Sequence, residues 1–409
     1  MMDPRATRRR PPMPDSATPS AADKELRATL RSTIAALDGL RGVAILAVLA
    51  HQLCIDGYAA NRGIQLALLP FQAGWFGVQL FFVLSGFLIT GILFETRSVE
   101  NYWSSFFLRR VLRIFPLYYL LLVGTFVIAP RLFDLPASVL AEHRHQAWYW
   151  FYLSNWWFSS RHEVTGLGHC WSLALEEQFY LLWPFAVRLL GDRGLVRLCL
   201  GLAGMAFLLR LGLRLGGADS ELAYELTPSR ADALAFGALA AIVVRRADWV
   251  AWIEPRLGRL MAVTFGLLAA ITLASGVLNR NHIVTQTIGY TVVAVASALV
   301  ILRAILDTAR GRGLLAAALS SRLLRRYGKH SYAIYIFHLP IHLFITKTWI
   351  TPRLDALSQA GFVGLQMGYF VAGTLGLLVV GIASYRVIER PFLDLKRFFA
   401  ARPRPTTAA

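Results

Sequence analysis

Hydrophobic residues along this chain form long stretches, and charged residues are concentrated in the gaps between them. A membrane-spanning α-helix needs about 20 mainly apolar residues, because the hydrocarbon core is about 30 Å thick and a helix rises about 1.5 Å per residue. The pattern predicts an all-α polytopic membrane protein with about ten transmembrane helices. The predicted spans are residues 39–58, 72–94, 111–131, 171–190, 195–215, 231–246, 259–278, 284–305, 331–350 and 361–387.

Composition and charge agree with this interpretation. Hydrophobic residues make up 56% of the 409 residues, and the mean hydropathy of +0.51 is far above what a soluble domain needs. The net charge of +18 lies mostly in the gaps between apolar segments, as the positive-inside rule requires of cytoplasmic loops. The charge therefore indicates membrane topology rather than a nucleic-acid partner. Ten spans with both termini in the cytoplasm place most of the 42 Lys and Arg residues inside.

The two ends of the chain differ in composition from the rest. Residues 1–33 are rich in Arg, Pro, Ala and Ser and have no apolar core, so they are expected to form a disordered basic cytoplasmic tail. They also lack the apolar centre of a cleavable signal peptide, so the first span is expected to direct insertion. Residues 396–409 predict a second cytoplasmic tail, which leaves 34–395 as the transmembrane domain.

An aromatic stretch at 148–158 is apolar but too short to span the membrane as a helix. We interpret it as an interfacial or re-entrant segment within an outer loop, residues 132–170. Two roles remain open for it: an anchor at the lipid headgroups, where Trp and Tyr are enriched, or a wall of an acceptor site. Polar residues of this loop mark where acceptor contacts are expected, namely His143, His145, Arg161, His162 and His169.

His51 is the most unusual residue for its setting, because it lies in an apolar helix ten residues after Arg41. A titratable side chain inside the membrane is costly and marks a functional site by default. Ten residues of helix place the two side chains about 15 Å apart along the axis, with His51 near the midplane. The structural alternative is a histidine that is bonded to a helix backbone.

Three arginines open the third span, at Arg109, Arg110 and Arg113. Arg110 and Arg113 are three residues apart and are expected to share a helix face. Guanidinium groups bind phosphate oxygens through paired hydrogen bonds, so this face suits a polyphosphate. The alternative is that these residues only anchor the cytoplasmic end of the helix.

Two further clusters have open interpretations. Glu176 and Glu177 start the fourth span and point about 100° apart, so one can face the bundle and the other the headgroups. Acids near a helix start are also favoured by the helix dipole alone. Tyr335, His338 and His342 are spaced for one helix face, but no carboxylate motif accompanies the histidine pair, and no metal is expected there.

The remaining candidates have simple structural alternatives. Glu389 ends the last span beside Arg386 and Arg390, where an interfacial ion pair is one interpretation. Ser85 is expected to be a small residue that lets helices pack closely. The cysteines show no CxxC or His-paired spacing, so neither zinc nor a disulfide framework is indicated. They are Cys54, Cys170 and Cys199.

Six motifs in the same order resemble the acyltransferase 3 family over residues 34–395. That family consists of integral membrane O-acyltransferases that modify bacterial surface glycans and some secreted small molecules. Any one of these motifs is weak, but six in order are specific. They are Leu37–Gly42 followed by His51, Gly77–Phe87, Arg109–Pro116, Trp171–Tyr180, Ser331–His338 and Glu389–Phe392.

The resemblance implies ten helices in the bacterial cytoplasmic (inner) membrane, acetyl-CoA or another acyl-CoA as the cytoplasmic donor, and transfer to a hydroxyl. By this likeness His51 matches the essential histidine, and Arg41 matches the first-helix basic residue. The paired arginines proposed to engage the donor match Arg110 and Arg113, with Arg109 beside them.

One departure from the family pattern is the spacing between Arg41 and His51. Nine residues separate the pair here instead of ten, which turns the side chains about 80° apart rather than about 20°.

The resemblance also marks Tyr332 and Glu389 as further members of the catalytic set. Ester formation from a thioester needs a base for the hydroxyl proton, and neutral imidazole is the natural group. His51 is therefore expected to be the general base or a transient acyl acceptor. The acceptor is expected to be an envelope glycan, and a small exported molecule such as a macrolide is the alternative. A transporter is a further alternative, but the matched broken helices it predicts are not found.

Overall fold

The structure is a computed structural model that describes residues 21–32, 34–55, 63–64, 68, 71–132, 142–158, 166–276, 279–311 and 313–402. Within these ranges the regular structure is helical, with no β-strand. Nine helices there are long and apolar enough to cross a membrane. The chain is therefore an all-α polytopic membrane protein, which confirms the fold class predicted from the hydrophobic pattern.

The α-helices are numbered in chain order, and several continue into short 3₁₀ or π turns. They are α1 (Ala21–Arg31), α2 (Ala35–Gln52), α3 (Phe76–Glu95), α4 (Tyr102–Val123), α5 (Ala129–Leu132), α6 (Ala147–Trp150), α7 (Ser154–Phe158), α8 (Cys170–Leu189), α9 (Asp192–Leu215), α10 (Ser220–Glu225), α11 (Thr227–Val243), α12 (Ala247–Ser275), α13 (Tyr290–Ala309), α14 (Leu314–Leu319), α15 (Arg322–Lys329), α16 (Ser331–Ile345), α17 (Gln359–Ser384) and α18 (Arg390–Asp394). The turns are Ala73–Trp75, Gly124–Ile128, Thr285–Gly289, Thr346–Ile350, Thr351–Ala356, Tyr385–Glu389 and Leu395–Phe399.

Each of the ten predicted spans coincides with one of these long helices. The span predicted at 171–190 is α8, which is not among the nine because Glu176, Glu177 and Gln178 make it less apolar. We call the end of the bundle that carries Arg41, Arg109 and Lys396 the basic face. The end that carries His51 and Glu142 is the opposite face.

The disorder expected for residues 1–33 was wrong for part of that range. Residues 21–31 form α1, in which Leu26 is buried and Leu30 packs against the core. These leucines are four residues apart on one helix face and pack with α13, which explains why this part of a polar segment is ordered. Residues 1–20 of the predicted tail lie outside the described residues.

The aromatic stretch at 148–158 contributes to the core of the bundle. Tyr149 is fully buried, and its carbonyl accepts a hydrogen bond of 2.9 Å from the Tyr118 hydroxyl. The ring of Tyr152 stacks on that of Tyr118 with centroids 4.2 Å apart. Phe151 and Trp156 instead are exposed. The segment therefore has one face in the core and another exposed face, as an interfacial element requires.

Helices α3 and α11 pack with their backbones in close contact through two glycines. A Cβ added to Gly86 would lie 2.0 Å from the carbonyl oxygen of Leu234, and one added to Gly237 would lie 2.0 Å from that of Val83. Small residues at such crossings let membrane helices approach. This contact places α3, which lines the cavity described below, against α11.

We expect Gly237→Ala to destabilise the protein by about 1 to 3 kcal/mol, because the new methyl group forces the backbones of α3 and α11 apart. The measurement is the thermal unfolding midpoint in detergent. Gly204→Ala is the matched control, since no atom lies within 4 Å of an added Cβ there. Equal midpoints for the two variants would contradict the close packing.

Candidate active site

A cavity that is partly open to solvent lies between α2, α3, α4, α8 and α16. A concave pocket with a few convergent polar groups is the default candidate for a ligand site. Its charged lining residues are Arg41, Arg110, Arg113, Glu176 and Glu177. Hydroxyl groups line it at Ser85, Ser172, Tyr180, Ser331, Tyr332 and Tyr335, and the remaining wall is apolar.

The three arginines of the cavity come from two helices. Arg41 lies in the second turn of α2, and Arg110 and Arg113 lie one turn apart on α4, close enough for all three charges to interact. The Arg110 guanidinium lies 5.3 Å from the centre of the Tyr180 ring, a cation–π contact. Arg109 is exposed and does not line the cavity. Arg110 and Arg113 both line the cavity, so they share a helix face as their spacing predicts. Arg109 is not on that face.

Glu176 is held by hydroxyl groups from two helices. It accepts hydrogen bonds of 2.8 Å from Ser85 on α3 and 2.9 Å from Tyr180, one turn further along α8. Tyr180 and Ser85 also contact each other at 3.1 Å. The expectation that Ser85 is only a packing residue was wrong, because its hydroxyl faces the cavity and Gly86 provides the close helix contact instead. The network fixes one carboxylate inside the cavity beside the arginines.

Tyr332 and Glu389 both interact with the charge of Arg113. Tyr332 lines the cavity, and its hydroxyl donates a hydrogen bond of 2.6 Å to the carbonyl of Ile114. Glu389 is 8% exposed in the π turn after α17, and Arg113 is the charged group that acts on it. The suggested ion pair of Glu389 with Arg386 or Arg390 is absent from the described residues, where both arginines are exposed.

His51 does not line the cavity. It is half-buried at the end of α2, where the ring hydrogen-bonds to the backbone of Phe71 and Gln72. A Cβ on Gly74 would lie 3.0 Å from the Cβ of His51. Val78 follows Gly74 by about one helical turn and lines the cavity. His51 therefore lies about 6 Å beyond the end of the cavity that faces away from the arginines. The structure brings Arg41, Arg110 and Arg113 together in the cavity lining. His51 lies beyond the end of the cavity that is remote from them.

The histidines of α16 engage separate partners. Nδ1 of His338 lies 2.6 Å from the Tyr335 carbonyl oxygen, whereas Nδ1 of His342 lies 2.9 Å from the Tyr369 hydroxyl. The ring centroid of His338 is 5.1 Å from that of His169, next to the Tyr335 and Ser172 hydroxyls at the end of the cavity. Among the described residues, no three His, Cys, Asp or Glu side chains form a metal cluster.

The described residues of the outer loop, 142–158 and 166–169, do not line the cavity. His143 contacts the Phe126 carbonyl at 3.1 Å, and His145 stacks on Trp157 with centroids 5.0 Å apart. Arg161 and His162, which the sequence also marks for acceptor contacts, lie outside the described residues.

Glu142 anchors this loop from a buried position. Its carboxylate accepts hydrogen bonds from the Leu167 backbone N–H at 3.2 Å and from the Tyr149 hydroxyl at 3.4 Å. Burial raises the pKa of Glu142 to about 7, against the opposing effects of these two bonds and the charge of Lys347. The carboxyl group therefore changes charge near neutral pH.

We expect the loop to be most stable below the unfolded-state pKa of about 4.5, and to lose this contribution as pH rises through about 7. The sign follows because the folded state binds the proton more tightly than the unfolded state. Hydrogen exchange of residues 166–169 between pH 5 and 9 measures the change. Glu142→Gln keeps an acceptor oxygen and is expected to remove the dependence. An unchanged pH profile in this variant would contradict the assignment of the effect to Glu142.

Comparison with known proteins places the helix bundle and its cationic cavity in the class of integral membrane acyltransferases. A family model described as an acyltransferase domain, acyltransferase 3, matches residues 34–386. The chain belongs to the acyltransferase 3 family, which confirms the resemblance drawn from the six motifs.

Curated relatives match most of this chain. The O-acetyltransferase OatA of Staphylococcus aureus (strain NCTC 8325 / PS 47) is 26% identical over 381 residues, which cover 87% of this chain and 56% of the relative. The peptidoglycan O-acetyltransferase OatA of Listeria monocytogenes serovar 1/2a is 29% identical over 385 residues, covering 88% and 56%. The putative peptidoglycan O-acetyltransferase YrhL of Bacillus subtilis (strain 168) is 29% identical over 385 residues, covering 88% and 54%. The chain thus spans about half the length of these relatives. No solved structure matches it.

Proposed function

We propose that this protein is an O-acetyltransferase of the bacterial cytoplasmic membrane that moves an acetyl group from acetyl-CoA to a hydroxyl of a cell-envelope glycan. The observation that carries the proposal is the cavity with three arginines at its basic face. The three guanidinium groups repel one another, the two glutamates of the cavity offset only part of their charge, and phosphate groups are anions that guanidinium groups bind well through paired hydrogen bonds. By the positive-inside rule the basic face is cytoplasmic, which is where acetyl-CoA is made available.

The acetyl thioester is expected to reach the end of the cavity near Val78, with the phosphates held by Arg110 and Arg113. There the acceptor oxygen attacks the thioester carbonyl carbon, a C–O bond forms and the C–S bond breaks. His51, about one helical turn further on, takes the hydroxyl proton, which is then returned to the departing thiolate sulfur. Tyr332 and Glu389, which both interact with the charge of Arg113, complete the proposed site.

The acceptor is proposed from the relatives, because two of those described above are named for peptidoglycan. Cell-wall glycan carries hydroxyl groups and lies on the side of the membrane where His51 is placed in this topology. The membrane lipid around the bundle is the other expected partner, since many side chains on α9 and α12 are exposed and apolar.

The test is acetyl transfer by the purified full-length protein in proteoliposomes, with radiolabelled acetyl-CoA and soluble peptidoglycan fragments. We expect a labelled O-acetyl ester that mild base removes. A macrolide in place of the glycan separates the two acceptor classes. Label that stays on acetyl-CoA with every hydroxyl acceptor would refute the proposed donor.

A further inference from the structure

The chain turns back after its last spanning helix and lies against the start of α4. The amide nitrogen Nδ2 of Asn101 donates to the Ala400 carbonyl at 2.9 Å, and the Arg402 N–H donates to Oδ1 of Asn101 at 2.8 Å. The Glu100 N–H donates to the Arg402 carbonyl at 3.1 Å. These bonds hold the 3₁₀ turn Leu395–Phe399 at the basic face, in a segment that the sequence predicts as a cytoplasmic tail from residue 396 onward. Residues 403–409 of that tail lie outside the described residues.

Lys396 is the residue that this turn presents to the arginines. It is half-buried, and its charge interacts with those of Arg113, Arg110 and Arg109, in decreasing order. The neighbouring Arg397 points elsewhere, with its guanidinium 4.9 Å from the ring centre of Phe398. The turn therefore places the Lys396 side chain near these arginines and directs the Arg397 side chain away from them.

Arg109, Arg110, Arg113 and Lys396 form a group of four basic side chains, and only Arg110 and Arg113 have carboxylates acting on them. Within the described part of the chain, none of the four forms a salt bridge within 4 Å. Glu176 and Glu177 act on Arg110, Glu176 also acts on Arg41, and Glu389 acts on Arg113. Like charges brought together in a poorly solvated site cost free energy unless an anion binds between them. Two of these side chains line the cavity and two lie outside its lining, so an anion with several negative charges could interact with both pairs.

We propose that Lys396 binds a phosphate group of the coenzyme A donor at the mouth of the cavity, which extends the arginine site to a second phosphate position. This inference rests on the proposed function. Coenzyme A carries a diphosphate and a separate phosphate on its ribose, so one molecule spans two positions. Arg110 and Arg113 engage the phosphate nearer the thioester, and Lys396 with Arg109 engages the one further out. Lys396 lies beyond the residues that the family model matches, which end at 386.

The experiment compares Lys396→Ala with Arg397→Ala in the full-length protein, using acetyl-CoA and S-acetylpantetheine, a donor without phosphates. We expect Lys396→Ala to raise KM for acetyl-CoA about tenfold, the usual effect of losing one charge-assisted contact, with kcat little changed. KM for S-acetylpantetheine should stay the same, and Lys396→Arg should recover most of the affinity. Arg397→Ala should match the wild type with both donors.

Calorimetric binding of coenzyme A itself separates this inference from the proposed function. If the wild type binds coenzyme A but transfers no acetyl group, the proposed function fails, and an about tenfold weaker Kd in Lys396→Ala still supports the phosphate contact. If the variant loses affinity for pantetheine and coenzyme A alike, Lys396 only supports the fold and the inference is overturned. Unchanged binding in the variant overturns it as well.

Discussion

Replacing His51 by alanine is expected to lower kcat for acetyl transfer by at least about 100-fold, the usual contribution of a positioned general base. The protein should still insert and unfold at its normal temperature, because the ring is half-buried at the end of α2. The measurement is single-turnover acetyl transfer from acetyl-CoA, together with coenzyme A binding. Binding should be retained, since His51 lies beyond the end of the cavity that faces away from the arginines.

Two variants separate a chemical role of His51 from a structural one. His51→Gln keeps a side chain that can bond to the backbone of Phe71 and Gln72, but it has no basic nitrogen. It is expected to be as inactive as His51→Ala. Gln52→Ala, at the next position of the same helix, is the matched control and should remain active. Activity restored by glutamine would show that the ring only holds the start of the second span in place.

The transmembrane helices could be predicted from the sequence because the bilayer sets their length. Every predicted span coincides with a helix, including α8, whose glutamates lower its hydropathy. Helix α1 was missed because its only signal is the pair Leu26 and Leu30, four residues apart within a polar segment. A signal of two residues becomes informative only when the surface it packs against is known.

The pairing of side chains across helices could not be predicted in the same way. Arg110 and Arg113 share a face through local spacing alone, and the structure places both in the cavity. The Ser85 bond to Glu176 and the approach of Arg113 to Glu389 depend on which helices pack together and how each is rotated. Residues 85 and 176 are far apart in the chain, so no local pattern links them. The same holds for Lys396, which reaches the arginines only because Asn101 holds the C-terminal segment in place.

In the proposed reaction, the two ends of α2 have different roles. Arg41 and His51 both lie on α2, about 15 Å apart along its axis, with the cavity running along the first part of that distance. The start of α2 is fixed by α15, since a Cβ on Gly42 would lie 2.1 Å from the Leu324 carbonyl oxygen. In the proposed reaction, α2 would set the separation between the anionic end of the donor and the base.

The second large effect is expected from Arg113, which lies at the centre of the charged groups. Arg41, Arg110, Glu389 and Lys396 all interact with its charge. Arg113→Ala should raise KM for acetyl-CoA by about 10- to 100-fold, because a hydrogen bond to a charged group contributes about 1.5 to 3 kcal/mol. It should also lower kcat, since Glu389 loses the cation beside it in a buried site.

The comparison that tests this uses two other variants and the same steady-state assay. Arg322→Ala removes an exposed arginine of α15, which does not line the cavity, and should leave both constants within about twofold of the wild type. Arg113→Ala combined with Glu389→Gln should be no more active than Arg113→Ala alone, because Glu389 belongs to the proposed catalytic set. If the double variant is more active than the single one, Glu389 does not take part in the transfer. If Arg113→Ala binds acetyl-CoA as tightly as Arg322→Ala, the donor phosphates are held elsewhere and the arginine cavity is not the donor site.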